Sequence, residues 1–179
     1  MITRDHALKQ IIGLVENGNL IKLIDILLQE NDEESIRVPL RSPEERAKNY
    51  LIATNRKIQQ YIKDGGIGDL DLSGTPITSL PDGLKVNGYL NLGGTKITAL
   101  PADLEVGGYL NLRNTPITAL PDGLKVNGSL DLRETPITDL PANLEVGGDL
   151  YLGNTPLSKS HTKEQIKQMA PGVTGNIYL

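Results

Sequence analysis

The stretch "LNLGGTKITALPADLEVGGY", residues 90–109, decides the fold, because nearly the same letters return as "LNLRNTPITALPDGLKVNGS" at residues 110–129. The first four units share the pattern G-x-L-x-L-x-x-T-x-I-T-x-L-P-x-x-L-x-V-x, which has a period of 20 residues. A fifth unit keeps only its first part. Five glycines begin the units: Gly68, Gly88, Gly108, Gly128 and Gly148. A fixed period of this length predicts a solenoid in which each unit stacks on the next.

Apolar and polar residues alternate at the start of each unit, as they do along a half-buried strand. In the first unit we expect Leu70 and Leu72 to point inward and Asp69 and Asp71 to point outward. The leucine spacing is the signature of a leucine-rich repeat. We therefore predict an α/β repeat solenoid, right-handed and built on about six parallel strands. These strands should start near residues 69, 89, 109, 129, 149 and 176.

The segment that leads back from each strand carries further regularities. A threonine follows every strand, and its hydroxyl is expected to bond to the backbone of the turn. Leu-Pro pairs then favour an extended return rather than a helix. Side chains of alternating sign should form a column along the stack, and this column follows a 40-residue rhythm that a duplicated pair of units would explain. The column contains Lys85, Glu105, Lys125 and Glu145.

Residues 1–66 do not repeat, and their patterns are helical. Two helices are predicted over residues 4–15 and 20–29. A third begins at "SPEE", where Ser42 is the expected N-cap, Pro43 the first helical residue and Glu45 the side chain that closes a capping box. It should run to about residue 63. The face expected to be buried contains Ala47, Leu51, Ile58 and Ile62.

We interpret residues 1–66 as a helical cap over the first coil, with a separate partner-binding module as the alternative. Residues 67–179 are assigned to the solenoid. Near its end the repeat spacing lengthens from 20 to 27 residues. The extra residues suit a short helix near residues 162–170, started by a capping box between Thr162 and Gln165. A final strand is predicted in residues 175–179.

The tandem pattern L-P-x-x-L-x-V-x-G-x-L-x-L, over about residues 68–157, resembles the short leucine-rich repeats of YopM- and IpaH-type secreted bacterial effectors. Similar repeats occur in uncharacterised bacterial and phage proteins. The resemblance implies a helical cap at the N-terminal end and a concave strand face that binds protein. The chain departs from the pattern in having threonine where asparagine is usual. It also lacks the catalytic cysteine and the large C-terminal domain of the ligase branch, so ligase activity is not implied.

Composition and charge argue against several kinds of site. The chain has no cysteine, which excludes thiolate metal ligands and thiol nucleophiles. Its net charge of −4 arises in the repeats, and this argues against nucleic acid as the main partner. We recognise no membrane span and no signal peptide. We therefore expect a cytoplasmic protein, or one that is delivered into a host cell by another route.

No arrangement of residues predicts catalysis or a cofactor. The glycine-rich segments at residues 65–69 and 93–96 do not continue as a phosphate-binding loop. His6 and His161 lie at opposite ends, and we find no nucleophile with an orienting base. The acids of the strand face are interpreted as solvated side chains. They are Asp69, Asp71, Asp131 and Asp149.

The letters that vary between units lie on the predicted concave face. Four of the six tyrosines of the chain lie there, and tyrosine and arginine dominate interface hot spots. The alternative is that tyrosine simply favours strands. We expect tyrosines to stack in two pairs, and Arg113 to lie beside Arg133, with Asp131 or Glu134 relieving their repulsion. The candidate binding residues are Tyr89, Asn91, Tyr109, Asn111, Arg113, Asp131, Arg133, Tyr151 and Tyr178.

The sequence thus indicates a non-enzymatic module that binds a protein, with an acidic or phosphate-bearing patch on the partner. Such a module would modulate or inhibit a host or competitor protein. One alternative is a structural or assembly module that oligomerises through the helical region or the final strand. Another is a binder of a glycan or small molecule.

Overall fold

The structure, a computed structural model, describes residues 42–179 and shows a parallel-strand solenoid with a repeat of about 20 residues, preceded by a helix. Residues 43–179 form one compact unit. The helices predicted at residues 4–15 and 20–29 lie outside the described part of the chain. The assignment of residues 1–66 as a cap therefore stays a prediction. No helix within residues 42–179 is long and apolar enough to cross a membrane.

The described elements are helices and two-residue strands. In chain order they are α1 (Pro43–Lys63), β1 (Leu70–Asp71), β2 (Lys85–Val86), β3 (Leu90–Asn91), β4 (Glu105–Val106), β5 (Leu110–Asn111), β6 (Lys125–Val126), β7 (Leu130–Asp131), β8 (Glu145–Val146), β9 (Leu150–Tyr151), α2 (Pro156–Ser160), α3 (Lys163–Met169) and β10 (Ile177–Tyr178).

One sheet joins the strands that the leucine pattern predicted. Its order is β1-β3-β5-β7-β9-β10, and all its pairs are parallel. Leu70 pairs with Leu90 and Leu90 with Leu110, so each residue lies beside its equivalent in the next coil. The predicted strand positions are confirmed to within one residue, and the in-register stacking follows from the identical spacing of the units.

The interior is a single apolar column filled by the same six positions of every coil. In the second coil all six are buried: Leu90, Leu92, Ile97, Leu100, Leu104 and Val106. These side chains join those of the other coils in one hydrophobic cluster. One coil cannot enclose such a set alone, and stacking supplies the missing cover.

Buried threonines close the turn after each strand. The Thr115 hydroxyl donates to the carbonyl oxygen of Leu112 at 2.7 Å. The equivalent bond is made by Thr75, Thr95, Thr135 and Thr155. The predicted hydroxyl–backbone bond is thus confirmed. A buried hydroxyl with an intramolecular partner avoids the free-energy penalty of an unsatisfied polar group.

A second parallel sheet, which the sequence did not predict, lies on the return side in the order β2-β4-β6-β8. It carries the charge column in register, with Lys85 beside Glu105 and Lys125 beside Glu145. Their salt bridges measure 2.9 and 3.1 Å. Both pairs are well exposed, so each adds about 0–1 kcal/mol and acts mainly on register.

Glycines allow one coil to approach the next very closely. A Cβ at Gly108 would lie 2.8 Å from the carbonyl oxygen of Gly88, and one at Gly107 would lie 2.3 Å from that of Asn87. Such distances do not occur for real side chains, so both positions exclude any other residue without a backbone shift. Gly147 repeats the arrangement over Asn127. The alternation of Asn and Gly every 40 residues therefore has a packing reason.

Helix α1 begins at Pro43 and ends at Lys63, as predicted. It contacts the first coil through buried Thr54 and Ile58 and through Tyr61, which are spaced for one helical face. The Tyr61 hydroxyl bonds to the backbone carbonyl oxygens of Gly66 and Gly68, each at 2.7 Å.

The predicted buried face of α1 was wrong apart from Ile58. Leu51 and Ile62 are 39% and 42% exposed, and Ala47 is exposed as well. The apolar letters do not mark the contact face, because a threonine and a tyrosine make the contact with the coil. Both satisfy their hydroxyls by bonding to backbone carbonyls, Thr54 to that of Tyr50.

The end of the solenoid follows the prediction with one addition. Helix α3 is started by the expected capping box, in which the Thr162 hydroxyl and the Gln165 side chain each accept from the other's backbone N–H. Ile166 is fully buried against the last coil. Helix α2 was not predicted; it begins with a second capping box, between Thr155 and Ser158. Strand β10 then pairs with β9 as expected.

Candidate functional site on the strand face

The outward side chains of the six-stranded sheet form three columns, which together are called the strand face. Column one contains Asp69, Tyr89, Tyr109, Ser129, Asp149 and Asn176. Column two contains Asp71, Asn91, Asn111, Asp131, Tyr151 and Tyr178. Column three contains Ser73, Gly93, Arg113, Arg133 and Gly153. All nine candidate binding residues lie in these columns, because the ladder holds equivalent positions side by side.

The tyrosines form the two predicted pairs. The rings of Tyr89 and Tyr109 meet edge to face with centroids 6.0 Å apart. Those of Tyr151 and Tyr178 are stacked, with centroids 4.9 Å apart and planes 8° from parallel. The Arg133 guanidinium carbon lies 5.4 Å from the Tyr151 ring centroid, within range of a cation–π interaction. The middle of the face is thus aromatic and edged by a cation.

Both arginines of column three are paired with acids of the chain itself. An Arg113 Nη lies 2.6 Å from Glu134 Oε1, and Arg133 binds Asp131 through Nε and Nη. The predicted relief of their mutual repulsion is confirmed. Their side chains still keep 49% and 41% of their surface exposed, so they can also contact a partner.

Asp131 is not a solvated acid, contrary to expectation, because it is only 1% exposed. The Tyr109 hydroxyl donates to its Oδ2 at 2.8 Å, and the backbone N–H and Nε of Arg133 donate to its Oδ1 at 3.0 and 2.9 Å. Burial alone would raise the pKa of Asp131, but these bonds outweigh burial and hold the pKa below its usual value. Burial and the bond to Asp131 raise the pKa of Tyr109.

The other polar residues of column two have a structural role that the sequence analysis missed. Asn91 Oδ1 accepts from the backbone N–H of Gly93 at 3.1 Å, and Asn111 Oδ1 accepts from that of Arg113 at 2.9 Å. Asp71 does the same two residues ahead of itself. The signal was present as an Asp or Asn two residues before each turn, a spacing that favours such bonds. Asn111 also donates to Asn91, at 2.9 Å.

An open cavity of about 520 Å³ lies on the middle of the strand face. Its lining includes Tyr89 and Tyr109 on one side, Ser129 below them, and Arg133 and Tyr151 on the other side. It therefore brings together four of the candidate residues from four coils. Asn91, Asn111 and Arg113 lie beside this cavity in the same columns, and Tyr178 continues the face by stacking on Tyr151.

No group of His, Asp or Glu side chains within residues 42–179 is placed to hold a metal ion. His161 bonds to the adjacent Ser160 hydroxyl at 2.8 Å, and His6 lies outside the described residues. Comparisons of the chain with protein-family models, curated proteins and solved structures found no match. The fold and the face define the chain as a parallel-strand solenoid whose units are of the leucine-rich repeat kind.

Proposed function

We propose that the chain is a non-enzymatic module that binds a protein through the strand face. One observation carries the proposal: four tyrosines and two arginines gather around one open cavity on a rigid ladder. Tyrosine and arginine provide large contact area and directed polar groups, and they are the residues most enriched in binding hot spots. The ladder orders them in advance, which lowers the entropy cost of association.

The repeat pattern supports a more specific role. Its resemblance to the repeats of YopM- and IpaH-type effectors, and to those of phage proteins, favours a bacterial or phage module that modulates or inhibits a host or competitor protein. Action in a cytoplasm, either its own or that of a host, is part of the same proposal. The exposed parts of Arg113 and Arg133 favour a partner with an acidic patch.

The test is a double variant, Tyr89→Ala with Arg113→Ala, assayed by affinity capture from lysate of the source cell or its host. Tyr89 is 57% exposed and Arg113 bonds only to an exposed acid, so stability should change by less than about 1 kcal/mol. We avoid Tyr109 because its hydroxyl bonds to buried Asp131. Loss of a hot spot costs about 2 kcal/mol or more, or about thirtyfold in affinity.

The matched control is Tyr50→Ala, since Tyr50 is an equally exposed tyrosine, 51%, on helix α1. Proteins that wild type and this control retain, and that the double variant loses, bind the strand face. Equal capture by all three proteins would rule the face out and direct attention to the helical region.

Assembly of several copies is a second candidate function, favoured by strand β10. This strand lies at the end of the six-stranded sheet, and both Tyr178 and Leu179 are more than 40% exposed there. An unpaired strand edge is a ready template for another strand. Light scattering over a range of concentrations would show a rising mass in this case and a constant monomer mass in the first.

A further inference from the structure

Column one of the strand face contains a repeated hydrogen bond that links one coil to the next. The backbone N–H of each column-one residue meets the side chain of the column-one residue one coil earlier. Asp69 Oδ1 accepts from the N–H of Tyr89 at 2.7 Å, and Ser129 Oγ accepts from that of Asp149 at 2.9 Å. Asp149 Oδ1 accepts from that of Asn176 at 2.8 Å. At these three steps an oxygen of the chain occupies the acceptor position.

The two steps in the middle of the column lack such an oxygen. Tyr89 and Tyr109 occupy the acceptor positions there, and the Tyr109 hydroxyl is directed to Asp131 instead. As a result, the backbone N–H groups of Tyr109 and Ser129 have no acceptor within residues 42–179. These two groups are called the open amide pair. They belong to neighbouring coils, which places them about 4.8 Å apart on the same side of the sheet.

The open amide pair lies where a ligand can reach it. Tyr109 and Ser129 are only half-buried, and both line the open cavity together with Arg133. Arg133 bonds to Asp131 through Nε and one Nη, so its other amino group finds no acceptor in the described chain. The cavity thus offers backbone and guanidinium donors side by side. Asp131 does not repel an incoming anion, because Arg133 already neutralises it.

We propose that the open amide pair is a subsite for the carboxylate of an Asp or Glu side chain on the protein partner. The chain's own Asp69 and Asp149 show that a carboxylate oxygen fits the equivalent steps. A carboxylate has two oxygens, one for each N–H, and it accepts stronger hydrogen bonds than a neutral carbonyl does. The role of a partner rests on the proposed function, whereas the subsite is a property of this chain alone.

The test is an NMR titration of the ¹⁵N-labelled full chain with N-acetylglutamate N-methylamide. The matched probe is N-acetylglutamine N-methylamide, which has the same shape without the charge. We expect saturable downfield shifts of the Tyr109 and Ser129 amide signals with the glutamate probe. The paired amides of Tyr89, Asp149 and Asn176 should shift much less, and the glutamine probe should produce weaker shifts throughout.

Two variants at one position make the assignment specific. Tyr89→Asp supplies the missing acceptor in the way Asp69 does, and it should remove the response of the Tyr109 amide. Tyr89→Ala removes the same ring without supplying an oxygen, and it should leave that response in place. Shifts that are equal at open and paired amides, or that survive in Tyr89→Asp, would overturn the subsite. A stronger response to inorganic phosphate than to the glutamate probe would also overturn the choice of carboxylate.

This titration is independent of the capture experiment. If the strand face captures a partner but the open amide pair does not respond to the glutamate probe, the subsite is wrong and the proposed function stands. If the pair responds but the double variant captures as well as wild type, the subsite is real and the proposed function is wrong.

Discussion

At the scale of single residues, Asp131 differs most from its equivalents. Asp71 occupies the same column and makes the same bond to a backbone N–H two residues ahead, yet it is exposed. Asp131 is buried because Tyr109, one coil earlier, and Arg133, on its own coil, cover it from two sides. Membership of the column follows from the alternation of apolar and polar letters. Burial depends on two neighbours that no local pattern connects, so the sequence did not predict it.

Replacing Asp131 with Asn should lower the free energy of unfolding by about 1–3 kcal/mol, because the change weakens charge-assisted bonds to Arg133 in a buried site. Asn keeps the size and one acceptor oxygen, so the fold should remain. Asp71→Asn is the control and should change stability by less than about 0.5 kcal/mol. Chemical denaturation at neutral pH measures both. Equal effects of the two substitutions would mean that the buried ion pair adds nothing.

The same pair predicts a dependence of stability on pH. The pKa of Asp131 is lower in the folded protein than in the unfolded chain, where it is about 3.9. The carboxylate therefore stabilises the fold fully above the unfolded pKa, and this contribution is lost as the pH falls through the lower folded pKa. The stability gap between wild type and Asp131→Asn should be constant near neutral pH and close in strong acid. A gap that widened on acidification would contradict this assignment.

At the scale of elements, the long sheet was predictable and the short one was not. Leucines repeated at every second position identify each strand of the six-stranded sheet. The strands β2, β4, β6 and β8 have two residues each, too few to show any periodicity. Helix α2 was missed for a related reason. Its capping box uses Ser158 in place of the usual Glu or Gln, and the same Thr-Pro letters precede extended chain in the earlier units.

Close stacking of the coils makes a prediction about glycine. Gly108→Ala should destabilise the protein by about 1–3 kcal/mol, because its Cβ would overlap backbone of the preceding coil. Gly153→Ala is the matched control: its Cβ would lie 3.5 Å from the Arg133 side chain, an ordinary contact. That substitution should change stability by less than about 1 kcal/mol and can raise it, since alanine has less freedom in the unfolded chain. Thermal melting compares the two, and similar losses would show that the coils tolerate separation.

At the scale of the whole molecule, the apolar column needs cover at both ends. Ile166 of α3 covers the last coil, and Ile58 of α1 covers the first, where the Lys57 amino group also donates to the Asp71 carbonyl oxygen. Both roles follow from the general rule that a repeat array exposes its core at its ends. The sequence predicted the helices for that reason. It did not predict which side chains of α1 make the contact.

Two truncated chains test the cover at the first coil. A chain that starts at residue 67 lacks α1, and it should aggregate because Leu70, Leu72 and Ile77 lose their cover. A chain that starts at residue 43 keeps the buried Ile58 and should remain monomeric. Size-exclusion chromatography and thermal melting compare the two. If the shorter chain stayed monomeric and melted at the same temperature, α1 would not be a cap.

The alternation of Asn and Gly between successive coils also governs how such an array can change length. Recombination between tandem copies of a gene can remove or add any whole number of repeats. Losing one coil, for example residues 88–107, would bring Lys85 beside Lys125 and would stack Asn127 on Asn87 without the intervening glycine. Losing two restores Lys beside Glu and Gly over Asn. Descendants of this gene should therefore lengthen and shorten in steps of two coils, so the heritable module is the pair.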